Sequence, residues 1–267
     1  MLAAGHKELV VTGVCLGSFG QDRREHNALA RVMERLADLP GDFRLRLSSI
    51  EPWGITPRLI AALQRSPRWC PHLHIPFQSG SDAVLRRMRR PGSWAWYQRL
   101  VAQLRRAIPR ISLSGDLIVG FPGERDDDFQ HTLRLVEIFE LMRVHWFPFS
   151  PREGTAAATL GGQLPPAMVQ ARMHEARAAS RATLNRLAQA QVGGVAVVLV
   201  EADGGYTERY YPVQLAPATA PTNTFVSVTL QAWDGEIFVG TPVTHDSFVG
   251  PDNIRLTASH AGQTGYR

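Results

Sequence analysis

The sequence is poor in cysteine, nearly devoid of lysine and free of long apolar runs, and each scarcity excludes something. Its two cysteines, Cys15 and Cys70, stand too far apart to form a local metal knuckle, and they read as buried or inert thiols. No apolar run reaches the roughly 18 residues that a membrane span needs, and the N-terminus lacks the charged and apolar regions of a signal peptide. A cytosolic chain with no membrane partner is therefore expected. A G-x-S-x-G elbow, a P-loop and a dinucleotide fingerprint are all missing, which removes support for serine hydrolase, NTPase and classical dehydrogenase chemistry.

What is present describes a globular protein. A hydrophobic fraction of 44% with 20% charged residues argues against disorder, and 267 residues suffice for one large domain or a medium domain with a small one attached. The formal net charge is +5, but its distribution is more informative. Residues 1–186 carry 26 basic and 17 acidic groups, and residues 187–267 carry 3 and 7, so the first part is +9 and the last part −4. Attraction for a polyanion should lie on the first part. All of its basic residues but Lys7 are arginine, which suits phosphate recognition and is also what a GC-rich genome produces.

Strand-like and helix-like segments alternate over the first 150 residues. Strands are predicted over 8–12, 44–48, 72–76, 111–119 and 143–149, each of the first four followed by a helical pattern. Leu29, Val32, Met33 and Leu36 mark one helix face; Thr56-Pro57 supplies a cap and a first-turn proline for the next helix; Ser93 caps a helix over 94–107. Asp126 or Asp127 is placed as the cap of a helix bearing Phe129, Leu133, Val136 and Phe139. Such repeats imply a parallel sheet with helices outside it, barrel-like or doubly wound. A long helix from Pro165-Pro166 to about Gln191 carries Val169, Met173, Ala176, Leu184 and Leu187 on one stripe, with Arg172, Arg177, Arg181 and Arg186 placed largely off it as a solvated face. From Gly194 onward, short β-rich runs at 195–201, 210–215, 224–230 and 237–239 suggest a small β-barrel or sandwich, with an unstructured tail over 258–267.

In a barrel, ligand contacts gather at the C-terminal strand ends. Five punctuated stretches fall there: Thr12-Gly13-Val14, Ser48-Ser49-Ile50-Glu51-Pro52, Gln78-Ser79-Gly80-Ser81-Asp82, Gly120-Phe121-Pro122-Gly123-Glu124 and Ser150-Pro151-Arg152-Glu153-Gly154-Thr155. Any one alone is also an ordinary βα turn. His72 and His74 alternate on one strand with no third ligand in view, so they read as core or edge histidines and no metal site is expected. The acidic run Asp126-Asp127-Asp128 sits in a helix first turn, where carboxylates oppose the dipole. Asp116, within an apolar strand, needs a partner or a site role.

Together "LRLSSIEP", "HLHIPFQSGSD" with "LRRMRR", "DLIVGFPGERDDDF" and "FPFSPREGTAAA" resemble the radical S-adenosylmethionine methylthiotransferases. "TGVCLGSFGQD" is similar to the branch acting on N6-threonylcarbamoyladenosine in tRNA, and "VVLVEADGG" with "YTERYYPVQL" is similar to the small RNA-contacting TRAM domain of that family. The resemblance implies an incomplete parallel (βα) radical-SAM-type barrel with its linker helix over 1–190, a TRAM-like β module over 191–257, tRNA as partner and S-adenosylmethionine as cofactor, and it leaves the sulfur and electron donors open. It also implies [4Fe–4S] clusters, the radical-generating one held by a C-x3-C-x2-C motif, which this sequence does not contain. By the family pattern, Met1 falls inside the barrel, after the cluster loop, so two readings stand: most of a tRNA methylthiotransferase core, or a cluster-less RNA-binding or regulatory remnant.

The implied cofactor contacts are Gly120 and Ile118 toward the adenine, Gln78, Ser79 and Gly80 beside the ribose or methionine part, Ser48 and Glu51 at the same mouth, Arg152 toward a carboxylate or phosphate, and Asp116 within the site. The tRNA footprint is expected on the arginine-bearing barrel and linker helix. Tyr206, Tyr210 and Tyr211 are left between base stacking and the small barrel's own core.

Overall fold

The computed structural model describes residues 1–202, 204–216 and 220–243. The expected tail over 258–267, and the expected β module from 244 onward, lie outside the described residues.

Five parallel strands form the first layer: β1 (Glu8–Val11), β2 (Arg44–Leu47), β3 (His72–His74), β4 (Ser112–Val119) and β5 (Leu141–Pro148). The β1–β2 and β3–β4–β5 ladders join through bridges from Leu45 to Trp69 and from Ser49 to His74, so strand order follows chain order. Around them run α1 (Ala28–Ala37), α2 (Pro57–Arg65), α3 (Asp82–Arg87), α4 (Trp94–Ala107) and α5 (Asp126–Ile138). Period-two alternation sorts the strand side chains. Leu45, Leu47, Leu73, Leu113 and Leu117 are buried in the core with Leu59, Leu63, Leu100, Leu104 and Leu135 of the helices. The opposite face of the strands is polar.

Local chemistry explains the helix starts. The Thr56 hydroxyl accepts the Leu59 amide and Pro57 fills the first turn of α2; Ser93 accepts the Trp96 amide at the head of α4. The start of α5 differs from the expectation. Its N-cap is Arg125, not Asp126 or Asp127, because the Asp128 carboxylate, in the first turn, reaches back to accept the Arg125 amide at 3.0 Å.

The long helix α6 (Pro166–Gln189) packs Met173 and Ala176 against Val119 and Phe129, and leads into β6 (Val195–Val200), β7 (Gly204–Thr207), β8 (Pro212–Leu215), β9 (Phe225–Trp233) and β10 (Phe238–Pro242). These five strands close into a barrel around Val198, Val213, Val228, Leu230 and Phe238. Strand β7 has no counterpart among the predicted runs, since Gly204 and Gly205 weaken any strand pattern. The close approach of neighbouring strands requires them: a Cβ on either would collide with the carbonyl of Val213 or Leu199. Among the described residues, no helix is long and apolar enough to cross a membrane.

The two modules meet at the N-terminal end of the parallel strands. Arg44 and Arg46, both buried, hold Glu8 and donate to carbonyls of the β7–β8 hairpin: Arg44 to Tyr206 at 3.0 Å, Arg46 to Thr207 and Glu208 at 3.3 Å. Ser112 Oγ adds a bond to the Arg209 carbonyl at 2.7 Å. Burial pushes the Glu8 carboxyl up, but the hydrogen bonds and charges of Arg46 and Arg44 outweigh it and hold it below the usual range. Tyr210, held in a left-handed conformation at φ +71°, lies against Arg46, Arg143 and His72. The hairpin thus plugs the polar face from below.

Candidate functional site

Because the strands are parallel, the five punctuated stretches emerge on one rim, the C-terminal one. The loops after β1 and β2 are tied together: the Glu51 carboxylate accepts the Gly17 amide at 3.1 Å. Half-buried Ser48 follows β2, and half-buried Ile118 sits near the end of β4. Gln78, at φ +70°, bridges to Leu117 of β4 through its backbone. Arg152 is exposed beyond β5.

Ser79 and Gly80 are not turned to this rim. Ser79 is fully buried with its hydroxyl 3.2 Å from Thr132 Oγ1 of α5, and the Gly80 amide donates to the same oxygen at 3.0 Å. A Cβ on Gly80 would strike the His131 carbonyl, so this glycine serves close packing of the turn on α5 rather than a ligand's approach. Gly120 also has a structural duty. At φ +80° its amide donates to Glu124 Oε2 at 2.8 Å, and a Cβ there would lie 2.7 Å from Val169 of α6. Glu124 in turn receives Arg172 Nη1 at 2.7 Å, with both side chains buried. The expected solvated position of Arg172 is thus corrected, because the buried carboxylate of the strand-end loop demands a counter-charge and α6 supplies it.

Below the rim, the polar face carries a hydrogen-bonded chain across three strands. Ser114 Oγ lies 2.9 Å from His72 Nε2 and 3.0 Å from His74 Nδ1; Asp116 Oδ1 lies 3.0 Å from His74 Nε2 and 3.1 Å from His145 Nδ1. Burial pushes the Asp116 carboxyl up, yet the bonds and charges of His74 and His145 prevail and hold it below the usual range. Burial, followed by the charges of Arg46, His74 and Arg143, keeps His72 neutral. The third partner missing from the sequence pattern is therefore His145. It is the direct register neighbour of Asp116 on β5, a pairing invisible until the order β3–β4–β5 is known. Arg90 is a further unanticipated member of the mouth. It donates to the Pro76 carbonyl at 3.1 Å, lies over the Trp53 ring, and feels the Glu51 and Asp116 carboxylates. Two recesses of about 570 Å³ lie elsewhere, one between β1 and the small barrel, the other on the helix side between α3, α4 and α5; neither is lined by the histidines of this chain of bonds.

Comparison with known proteins places this architecture. The radical SAM superfamily model matches residues 6–136. Over 165 residues the chain is 48% identical to threonylcarbamoyladenosine tRNA methylthiotransferase MtaB of Thermotoga maritima, covering 62% of this chain and 38% of that protein. Over 245 residues it is 35% identical to MtaB of Chlamydia pneumoniae, covering 88% and 57%. Over 211 residues it is 37% identical to ribosomal protein uS12 methylthiotransferase RimO of Desulforudis audaxviator, covering 79% and 46%. The chain belongs to the radical SAM methylthiotransferase family. It spans between 38% and 57% of the length of these three relatives.

Radical SAM methylthiotransferases imply a thiolate-held iron–sulfur cluster, and the thiols of this chain do not fit one. Cys15 is exposed in the loop after β1, while Cys70 is buried just before β3. They lie at opposite ends of the strand layer, a separation on the order of 13 Å for four-residue strands. Burial also pushes the Cys70 thiol up to about 11, away from the thiolate that ligation requires.

Proposed function

We propose that this chain is the barrel and small-barrel portion of a methylthiotransferase that adds a methylthio group to C2 of N6-threonylcarbamoyladenosine in tRNA. The observation that carries this reading is the convergence of the family-like loops on one rim of a parallel sheet, above a polar strand face. In this reading S-adenosylmethionine lies at that rim. Ile118 gives apolar support to the adenine, and Gly120 keeps the turn that brings backbone close. Ser48, Gln78 and Asp116 offer polar groups below it, Glu51 fixes the adjoining loops, and Arg152 faces a carboxylate or phosphate. The closed barrel β6–β10 corresponds to the TRAM-like module, and exposed Arg177 and Arg181 of α6 contribute to the tRNA footprint. The cluster ligands must come from outside this chain.

The test supplies what the chain lacks. The segment of Thermotoga maritima MtaB that precedes the aligned region is fused ahead of this chain and expressed in a bacterium lacking its own enzyme for this modification. The expected result is 2-methylthio-N6-threonylcarbamoyladenosine in digested tRNA, detected by mass spectrometry. A folded, iron-loaded fusion that leaves the nucleoside unmodified overturns the reading. The separated, ill-suited thiols favour a second reading, an RNA-binding protein without radical chemistry; tRNA binding by the chain alone, with an inactive fusion, is its expected signature.

A further inference from the structure

We infer that His74, Asp116 and His145 form a binding site for one divalent transition-metal ion, separate from any thiolate-held cluster. The three side chains come from adjacent parallel strands and project on the same face. Asp116 and His145 are direct register partners, and His74 pairs with Ser114, one same-face step before Asp116. Their placement is therefore set by the sheet and not by flexible loops. One donor atom from each residue lies within 4.8 Å of the others.

The spacing suits a metal. With bonds of about 2.1 Å, neighbouring ligand atoms are separated by about 3.0 Å in an octahedral shell and about 3.4 Å in a tetrahedral one. The observed edges from Asp116 Oδ1 are 3.0 Å to His74 Nε2 and 3.1 Å to His145 Nδ1. The outer shell is also in place. Ser114 Oγ engages His74 Nδ1 at 3.0 Å, fixing the ring so that Nε2 faces Asp116, as supporting hydrogen bonds do at histidine metal sites. His145 has a side-chain exposure of 54%, so the ion retains coordination positions open to water. Two imidazoles with one carboxylate select zinc, iron, cobalt or nickel over magnesium or calcium, which prefer all-oxygen shells.

The experiment is a Co2+ titration of the full chain carrying no added histidines, followed by visible absorption, with Zn2+ displacement as a second readout. One equivalent of Co2+ should bind, with ligand-field bands lost on adding Zn2+. Asp116→Asn and His145→Ala should each weaken binding about 100-fold or more, and Ser114→Ala about tenfold, the range typical of lost supporting bonds. His174→Ala, exposed on α6, should bind as the parent does. Circular dichroism checks that each variant is folded; the exposure of His145 makes that variant the decisive one. No saturable Co2+ binding at one equivalent, or equal affinity in folded His145→Ala and the parent, overturns the site. Neither readout depends on methylthio transfer, so failure here and failure of the proposed activity are distinguishable.

Discussion

Replacing Arg172 by Met tests whether the buried pair beneath the Gly120 loop holds the linker helix to the barrel. Arg172 is 6% exposed and the Glu124 side chain 0%, and Oε2 of Glu124 already accepts the Gly120 amide. Its other oxygen, Oε1, is buried with no partner among the described residues. Removing the guanidinium strands a buried carboxylate, a loss of about 3–5 kcal/mol in comparable pairs. The bond from Arg172 to Asp126 adds little, because Asp126 is largely exposed. At roughly 2–4 °C per kcal/mol for a chain of this size, Tm should fall by about 6–20 °C.

The pH dependence sharpens that test. Burial raises the Glu124 carboxyl above its ordinary value, and the Gly120 amide and Arg172 only partly pull it back. A carboxyl raised in the folded state holds its proton longer there than in the unfolded chain, so stability declines as pH rises through the interval between the two values. Without Arg172 that interval extends upward, and the proton that removes the stranded charge is bound more readily in acid. The cost of Arg172→Met should therefore be smaller at pH 5 than at pH 8, and the double variant Glu124→Gln/Arg172→Met should recover much of it while keeping an acceptor for Gly120. Thermal melts at both pH values decide the matter. A Tm within 2 °C of the parent (about 1 kcal/mol or less), or a cost independent of pH, refutes the clamp.

Gly80→Ala should lower stability by about 1–3 kcal/mol, since its Cβ meets the His131 carbonyl and comes 2.8 Å from Thr132 Cα, backbone atoms that cannot swing aside; denaturant titration measures it, and a neutral substitution would show that α5 is not packed so closely. In thiol titration of the folded chain, Cys15 should react promptly and Cys70 only on unfolding, given its burial and raised thiol; rapid reaction of both would contradict the buried position before β3.

The legibility of this fold follows the range of the forces involved. Thr56-Pro57 and Ser93 announce helices because a cap is a contact over three residues. A parallel sheet is implied by alternation, though its strand order is not, and the common rim follows from strand direction alone. What the sequence hides depends on partners brought in from afar. Arg172 looks solvated on a helical wheel because the wheel does not show Glu124. Asp116 looks costly until His74 and His145 arrive from two other strands. Ser79 and Gly80 share a motif with Gln78 yet face α5, where both bond to the Thr132 hydroxyl, a residue more than fifty positions away.

The same reasoning redistributes the positive charge of the first 186 residues. Arg44 and Arg46 are buried at the module junction, where they share the single carboxylate of Glu8 and donate to hairpin carbonyls. Arg58, Arg65, Arg105 and Arg186 are paired with carboxylates. Tyr211 belongs to the small barrel's core, whereas half-buried Tyr206 and Tyr210 stack on one another at the junction, where they line the recess beside β1. An acidic small barrel docked through backbone carbonyls onto buried arginines extends the parallel strand layer and is not an independent basic arm. In the proposed tRNA reading, phosphate attraction then falls to arginines with no carboxylate partner among the described residues, notably Arg177 and Arg181, exposed on the side of α6 turned away from buried Arg172.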